Sequence, residues 1–207
     1  TRRAGNWYYY DLTPQTFGFA AGLQIDFPDL TDGQNFLYGH ANIYTPGAAG
    51  TYVGGVLWRV SLAQIAAAQN ATFEFFTNTT YGNTALRLAQ GCHDTLWAGG
   101  KRDTTSMRLV WWPESAGLSA EIKTIATVSS ARVTSAGPDG RRWAEFSDHR
   151  ILGAWLAADL GFVFSSAPVA GRPRGFVRVA KFSTNTRALI GEEDIWNNDN
   201  DFLYPCA

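Results

Sequence analysis

Short apolar runs and stretches of strict alternation recur along almost the whole chain, and clusters of Gly, Pro, Asn and Asp separate them. This is the pattern of many short β-strands. It predicts strands over Phe36 to Tyr44, Gly55 to Leu62, Thr72 to Thr77, Thr95 to Gly99, Ser106 to Trp112, Ala120 to Thr127, Arg150 to Leu156, Gly161 to Ser165 and Phe176 to Phe182. Only Leu62 to Ala68, an Ala-rich segment, reads as helix, and it has room for about two turns. Parallel β-α-β units, which need about a dozen residues per crossover, find no space in such a pattern.

The strands repeat. Phe36 to His40, Thr95 to Gly99, Ile151 to Trp155 and Phe202 to Tyr204 overlay at Leu37, Leu96, Leu152 and Leu203, at spacings of 59, 56 and 51 residues. An apolar-Arg-apolar strand follows each of the first three copies, around Arg59, Arg108 and Arg178. A unit of about 50 residues holding four short strands has the size of one β-propeller blade. The expected fold is therefore all-β, a β-propeller or part of one, with a β-sandwich as the alternative. About three blades plus one strand of a fourth are expected, beginning near Gln34, His93 and His149, within a single unit spanning residues 1 to 207. In this reading Gly39, Gly99, Gly100 and Gly153 sit on crowded inner strands, and Trp58, Trp111, Trp112 and Phe182 pack between blades.

The succession GCHDTLWAGG, TTSMRLVWWPES, GPDGRRWAEFSDHRILGAWLAADLGFVFSS, FVRVAKF and DIWN…YP resembles a group of uncharacterised bacterial proteins that look like β-propellers. Their repeats run roughly DTMYW, RLFRWPE, PDGxNW, RITGAW, FVRV and DIWN…YP. The resemblance covers most of the chain from about Asp26 onward and implies the fold; no activity comes with it. In that group the chain continues past the Tyr-Pro pair that here is Tyr204-Pro205. Closed propellers usually have four to eight blades. A second chain, or the remaining blades of a longer polypeptide, is thus expected to close the ring.

Composition narrows the function classes. The chain of 207 residues is 45% hydrophobic and 17% charged, which excludes disorder, and its formal net charge of −1 removes the basic footprint of a nucleic-acid binder. The most apolar stretch, Ile151 to Ala170, is interrupted by Asp159, two Gly and two Ser, so no membrane-spanning helix is expected. Extracellular or periplasmic residence is expected, although no signal peptide is readable.

Three histidines are the first candidates for chemistry. His40 lies within a predicted inner strand, while His93 and His149 fall at equivalent positions before theirs, followed by Asp94 and Arg150. Such positions cluster around one mouth of a propeller channel. His93, Asp94, Asp148, His149 and Arg150 are therefore expected to bind a ligand, either a glycan or a polypeptide. The alternative is a hydrolase or lyase in which His149 and Asp148 act as acid and base, with Glu145 as a second carboxylate. No cofactor is required, and a cation held in the channel is compatible with the reading. No serine-hydrolase elbow, P-loop, dinucleotide fingerprint or zincin motif occurs.

The remaining motifs read as structure. Gly137-Pro138-Asp139-Gly140 is a tight turn, and Asn197 to Asp201 is a polar loop without the Gly and distal Glu of a Ca²⁺ loop. Glu192-Glu193-Asp194 reads as a solvated face or strand edge. Cys92 and Cys206 read as free thiols or one incidental bridge. Asn70 and Asn78 begin glycosylation-type triplets, Trp7 to Tyr10 is an aromatic run suited to stacking on sugars, and Thr1 has the chemistry of an N-terminal nucleophile.

Overall fold

The computed structural model describes residues 8–47, 50–68, 70–78, 85–137, 139–146 and 148–206. Thr1, Trp7, Thr79, Thr80 and Pro138, on which readings above depend, lie outside them. Among the described residues the chain forms three four-stranded antiparallel sheets, and within each the strands pair in sequence order. The first holds β1 (Gln24–Asp32), β2 (Phe36–Tyr44), β3 (Tyr52–Ser61) and β4 (Glu74–Thr77), with one short helix, α1 (Leu62–Ala66), between β3 and β4. The second holds β5 (Arg87–Leu88), β6 (Thr95–Lys101), β7 (Ser106–Pro113) and β8 (Ser119–Thr124). The third holds β9 (Ile151–Leu156), β10 (Leu160–Ser166), β11 (Phe176–Phe182) and β12 (Leu189–Ile195). The all-β expectation holds, and three successive four-stranded meanders are compatible with a propeller-like fold or a β-sandwich.

The blade boundaries need correction. The first two sheets begin at Gln24 and Arg87, one strand earlier than the expected Gln34 and His93; the third begins at Ile151, beside the expected His149. Strand β1 was hidden because it is mostly exposed, carries Asp26, Asp29 and Asp32, and contains Pro28. Strand β5 is only two residues long. The leucine overlay consequently mixes positions: Leu37 and Leu96 lie on second strands, whereas Leu152 lies on a first strand. The arginine repeat is the sounder one, since Arg59, Arg108 and Arg178 all lie on third strands. The fourth copy fails, because Phe202 to Tyr204 is not a strand. Phe202 N–H instead donates to Gly175 O (2.9 Å) and Tyr204 N–H to Ser165 Oγ (3.1 Å).

The three first strands lie side by side. Gln90 bridges Trp155 in parallel sense, with Gln90 N–H donating to Ala154 O (3.1 Å) and Leu156 N–H to Gln90 O (2.7 Å). Between β1 and β5, Leu88 N–H donates to Asp29 Oδ2 (2.7 Å), Thr31 Oγ1 to Ala89 O (3.0 Å) and Gln90 Nε2 to Leu30 O (2.9 Å). All three therefore run in the same direction. Their N-terminal ends define one rim of the molecule, the near end, and their C-terminal ends the opposite rim, the far end.

Apolar side chains fill the spaces between sheets. Tyr38, Leu57, Leu88, Leu96, Val110 and Trp112 join the first to the second. Met107, Leu109, Phe162, Phe164, Phe176 and Phe182 join the second to the third. Trp112 and Phe182 thus pack between sheets as expected, and Trp111 lies half-buried against the second of these clusters. Trp58 does not: it covers the outer face of the first sheet with Phe17 and Ile43. Gly39 is a glycine for that reason, since a Cβ there would stand 2.1 Å from the Trp58 indole; a Cβ at Gly161 would stand 1.9 Å from that of Trp155. The crowding at Gly39 and Gly99 comes from rings of Trp58 and Phe162, and both glycines lie on second strands rather than beside a channel. Cys92 and Cys206 are free thiols.

Candidate functional site

The register separates the five ligand-binding candidates into two groups. Strand β6 runs antiparallel to β5, with Arg87 opposite Gly99, so His93 and Asp94, which precede β6, stand at the far end. Asp148, His149 and Arg150 precede β9 and stand at the near end. A single mouth lined by both histidines is therefore corrected: the leucine overlay equated a second strand with a first. His93 and Asp94 are exposed and bind the scaffold through their backbones, His93 O accepting from Gln34 N–H and Asp94 O from Glu114 N–H, both at 2.8 Å. Asp94 also lines a groove of about 440 Å³ with Asn35, Phe36, Thr95, Pro113 and Glu114.

The near end is the more elaborate. Strand β1 breaks register between Asp26, opposite Asn42, and Asp29, opposite His40, leaving Phe27 and Pro28 against one partner residue. Phe27 has φ of +52°, a conformation that costs a bulky side chain strain, and it directly precedes a proline. Its ring lies 4.0 Å from the Arg150 guanidinium and 4.9 Å from that of Arg87. One aromatic ring from the first sheet thus joins an arginine from the second to one at the start of the third.

Each arginine also has its own carboxylate. Arg87 pairs with Asp29 at 3.1 Å. Arg150 donates to Asp148 through its backbone N–H (2.8 Å) and Nε (2.6 Å), and Nη2 completes a fork. Burial alone would raise the Asp148 pKa, but these hydrogen bonds and the charge of Arg150 bring it below the ordinary carboxylate range. Burial opposes the charge on Arg150 in turn, yet Asp148, then Tyr44 and Asp26, hold its pKa up. Glu145 pairs with Arg142 at 2.9 Å. Asp148 and Glu145, the two candidate carboxylates, are each engaged by a separate arginine.

The sequence reading did not single out the residues that complete this rim. Tyr44 ends β2 opposite Gln24, and these two with Ile25, Asp26, Thr45 and Gly47 line a depression of about 590 Å³. The Tyr44 ring is held by Tyr52, 5.5 Å away and edge-on at 73°, and the following turn is closed by Thr51 N–H on Thr45 Oγ1 (2.8 Å). Asn42 lies on the same face as Tyr44; its amide is fully buried and has no hydrogen-bond partner among the described residues. His40, the next residue inward on that face, is buried between the first two sheets, and burial followed by the charge of Arg87 pushes its pKa down to about 3. It is a neutral core histidine.

No family model matches the chain, and no curated protein does. Among the described residues no group of three or more His, Cys, Asp and Glu is arranged to hold a metal ion, and no helix is long and apolar enough to cross a membrane. The near end therefore offers an aromatic ring, planar polar side chains and fixed charges on strand termini. Such a set supports recognition by stacking and hydrogen bonding.

A signal for these residues does exist in the sequence. Tyr44-Thr45-Pro46-Gly47 is an aromatic residue followed by a turn at a strand end. It cannot be placed on a rim until the direction of its strand is known.

Proposed function

We propose that this protein is a recognition module of the extracellular or periplasmic space that binds a glycan at the near end, in the depression beside Tyr44 and across the Arg150 rim. The observation that carries the reading is the convergence of Tyr44, Gln24 and Asp26 on one depression, mounted on paired strands. Sugar rings present C–H faces to an aromatic ring and hydroxyls to planar amide and carboxylate groups. Titration against a panel of oligosaccharides should reveal a binder, and Tyr44→Ala should weaken it about tenfold. A panel without any binder, or equal affinity in the variant, rejects the glycan reading; binding of unstructured peptides instead would favour the polypeptide alternative.

The hydrolase or lyase alternative has less support. It needs Asp148 to take up and release a proton, and the fork with Arg150 stabilises its ionised form.

Ring closure belongs to the same proposal. Three sheets with adjacent first strands are fewer than the four to eight of closed propellers. Further blades, from a longer polypeptide or a second chain, complete the ring in this reading. The native particle should then have a mass well above that of 207 residues, measurable by sedimentation equilibrium; a compact monodisperse monomer of this chain alone would contradict it.

A further inference from the structure

At the near end arginines and aspartates pair, Arg87 with Asp29 and Arg150 with Asp148. At the far end carboxylates are in excess. The groove there, about 440 Å³ in volume, lies at the joint of the first two sheets, with Asn35 and Phe36 on one side and Asp94, Thr95, Pro113 and Glu114 on the other. Its two sides are tied together. Glu114 Oε1 accepts Asn35 N–H at 2.8 Å, Glu114 Oε2 accepts Asn35 Nδ2 at 2.6 Å, and Arg59 Nη1 donates to Pro113 O at 3.2 Å. A groove braced in this way from both sheets is preformed.

Arg59 is the cation that touches its wall, and Glu74 already neutralises it at 2.8 Å. Among the described residues Asp94 and Glu114 form no ion pair, and neither does Asp32, which ends β1 on the same rim. Even with His93 charged beside Asp94, the two cations Arg59 and His93 face four carboxylates, those of Asp32, Glu74, Asp94 and Glu114. Cations of the neighbouring joint do not make up the difference, since Arg187 is taken by Glu121 at 3.2 Å and Lys181 by Glu193 at 2.7 Å. Tyr38 adjoins the groove: its ring lies 6.2 Å from that of Phe36, and its edge and Glu114 Oε1 each stand 2.9 Å from the position a Cβ on Gly33 would take. The residue is fully buried, and its hydroxyl has no hydrogen-bond partner among the described residues.

We propose that this groove docks a basic polypeptide segment, through an arginine whose guanidinium lies against the Asp94 carboxylate. Charge complementarity selects a cationic partner. Arg59 shows what the local chemistry favours: its guanidinium lies 4.5 Å from the Phe36 ring and 4.3 Å from that of Trp112, with a carboxylate at its edge. The groove offers the same two elements to an incoming arginine, the half-buried Phe36 ring and the exposed Asp94. A planar fork matches both better than an ammonium does. Asp94 binds the scaffold through its backbone O, which leaves its carboxylate to a partner. Glu114, engaged by Asn35, contributes its charge. This surface stands on the rim opposite the Tyr44 depression and does not depend on the glycan reading.

The test is fluorescence polarisation on the full chain with a labelled peptide of alternating arginine and glycine, against peptides with citrulline or lysine in place of arginine, and with spermidine as competitor. The arginine peptide should bind about tenfold more tightly than the citrulline peptide, and its affinity should fall with rising salt. Asp94→Asn should weaken it about tenfold without moving the melting curve, because that side chain is exposed. Glu114→Gln, which keeps an acceptor for Asn35, should weaken it by a smaller factor. Asp199→Asn, in the polar loop after β12, should leave it unchanged. Absence of binding, equal binding of the citrulline peptide, or undiminished binding by Asp94→Asn overturns the proposal. A fall of the same size in Asp199→Asn would trace the effect to net charge and overturns the groove as its place. A lysine peptide that binds as tightly overturns the arginine preference, and displacement by spermidine at equal concentration would show a general cation site and overturn the polypeptide partner.

Discussion

Replacing Arg178 by methionine should lower the unfolding free energy by about 3–5 kcal/mol, a fall in melting temperature on the order of 10 °C. Arg178 is buried on β11, with Nε and Nη2 on Asp194 and Nη1 on Glu192 (2.9 Å) and on Ala126 O (3.1 Å). It therefore holds the last strand of the third sheet and the segment leaving the second sheet with one planar fork. Glu192 adds a second link, since its carboxylate accepts Ala126 N–H at 2.8 Å. Methionine keeps much of the volume but leaves Glu192, 16% exposed, without its cation and Asp194, 10% exposed, with Arg172 alone at 3.2 Å. That uncompensated charge, more than the lost attraction, is the source of the penalty. Combining Arg178→Met with Glu192→Gln and Asp194→Asn should recover part of the loss. A single variant within about 1 kcal/mol of the parent in urea denaturation would show that water screens the cluster.

Trp112→Ala should cost a comparable amount, about 3–5 kcal/mol. Trp112 is fully buried between the first and second sheets, with Phe76 at 4.9 Å, Tyr38 at 5.9 Å and the Arg59 guanidinium 4.3 Å from its ring. Two of its aromatic neighbours belong to the other sheet, so truncation opens a cavity in the joint itself. Arg59 would also lose one wall of its sandwich between Phe36 and Trp112 while remaining paired with Glu74 at 2.8 Å. Trp111, half-buried against the cluster between the second and third sheets and stacked on Trp97, gives the comparison, for which a clearly smaller loss is expected because it is less buried. Equal effects of the two substitutions would mean that full burial between the first and second sheets is not what sets the loss.

These elements show what could be read from the chain. The strand over Phe36 to Tyr44 is predicted at its observed bounds because it is an apolar-rich run bounded by turn residues, and six of its nine residues are buried. Strand β12 is absent from the strands that the alternation predicts, because Glu192, Glu193 and Asp194 read only as a solvated face or a strand edge; Glu192 and Asp194 are acidic to serve Arg178, and Glu193 pairs with Lys181. The charge pattern there records a partner on the neighbouring strand, which composition cannot identify. The site was legible in part. Asp148, His149 and Arg150 do share a rim, but His93 and Asp94 were assigned to it through an overlay that slipped by one strand. Side-chain periodicity fixes which face a residue occupies; it does not fix which end of a sheet a strand starts from.

The sequential pairing within each sheet has a consequence for how the molecule forms. Every strand is hydrogen-bonded in its sheet to its neighbour in sequence, so each ladder needs only short loops to close, and little chain entropy is lost before contacts repay it. A sheet can therefore assemble as soon as its own residues have left the ribosome, and the later step is the docking of preformed sheets through the rings of Trp112, Phe162 and Phe182. The order of synthesis is then also an order of assembly, with each finished sheet offering an apolar face on which the next one settles.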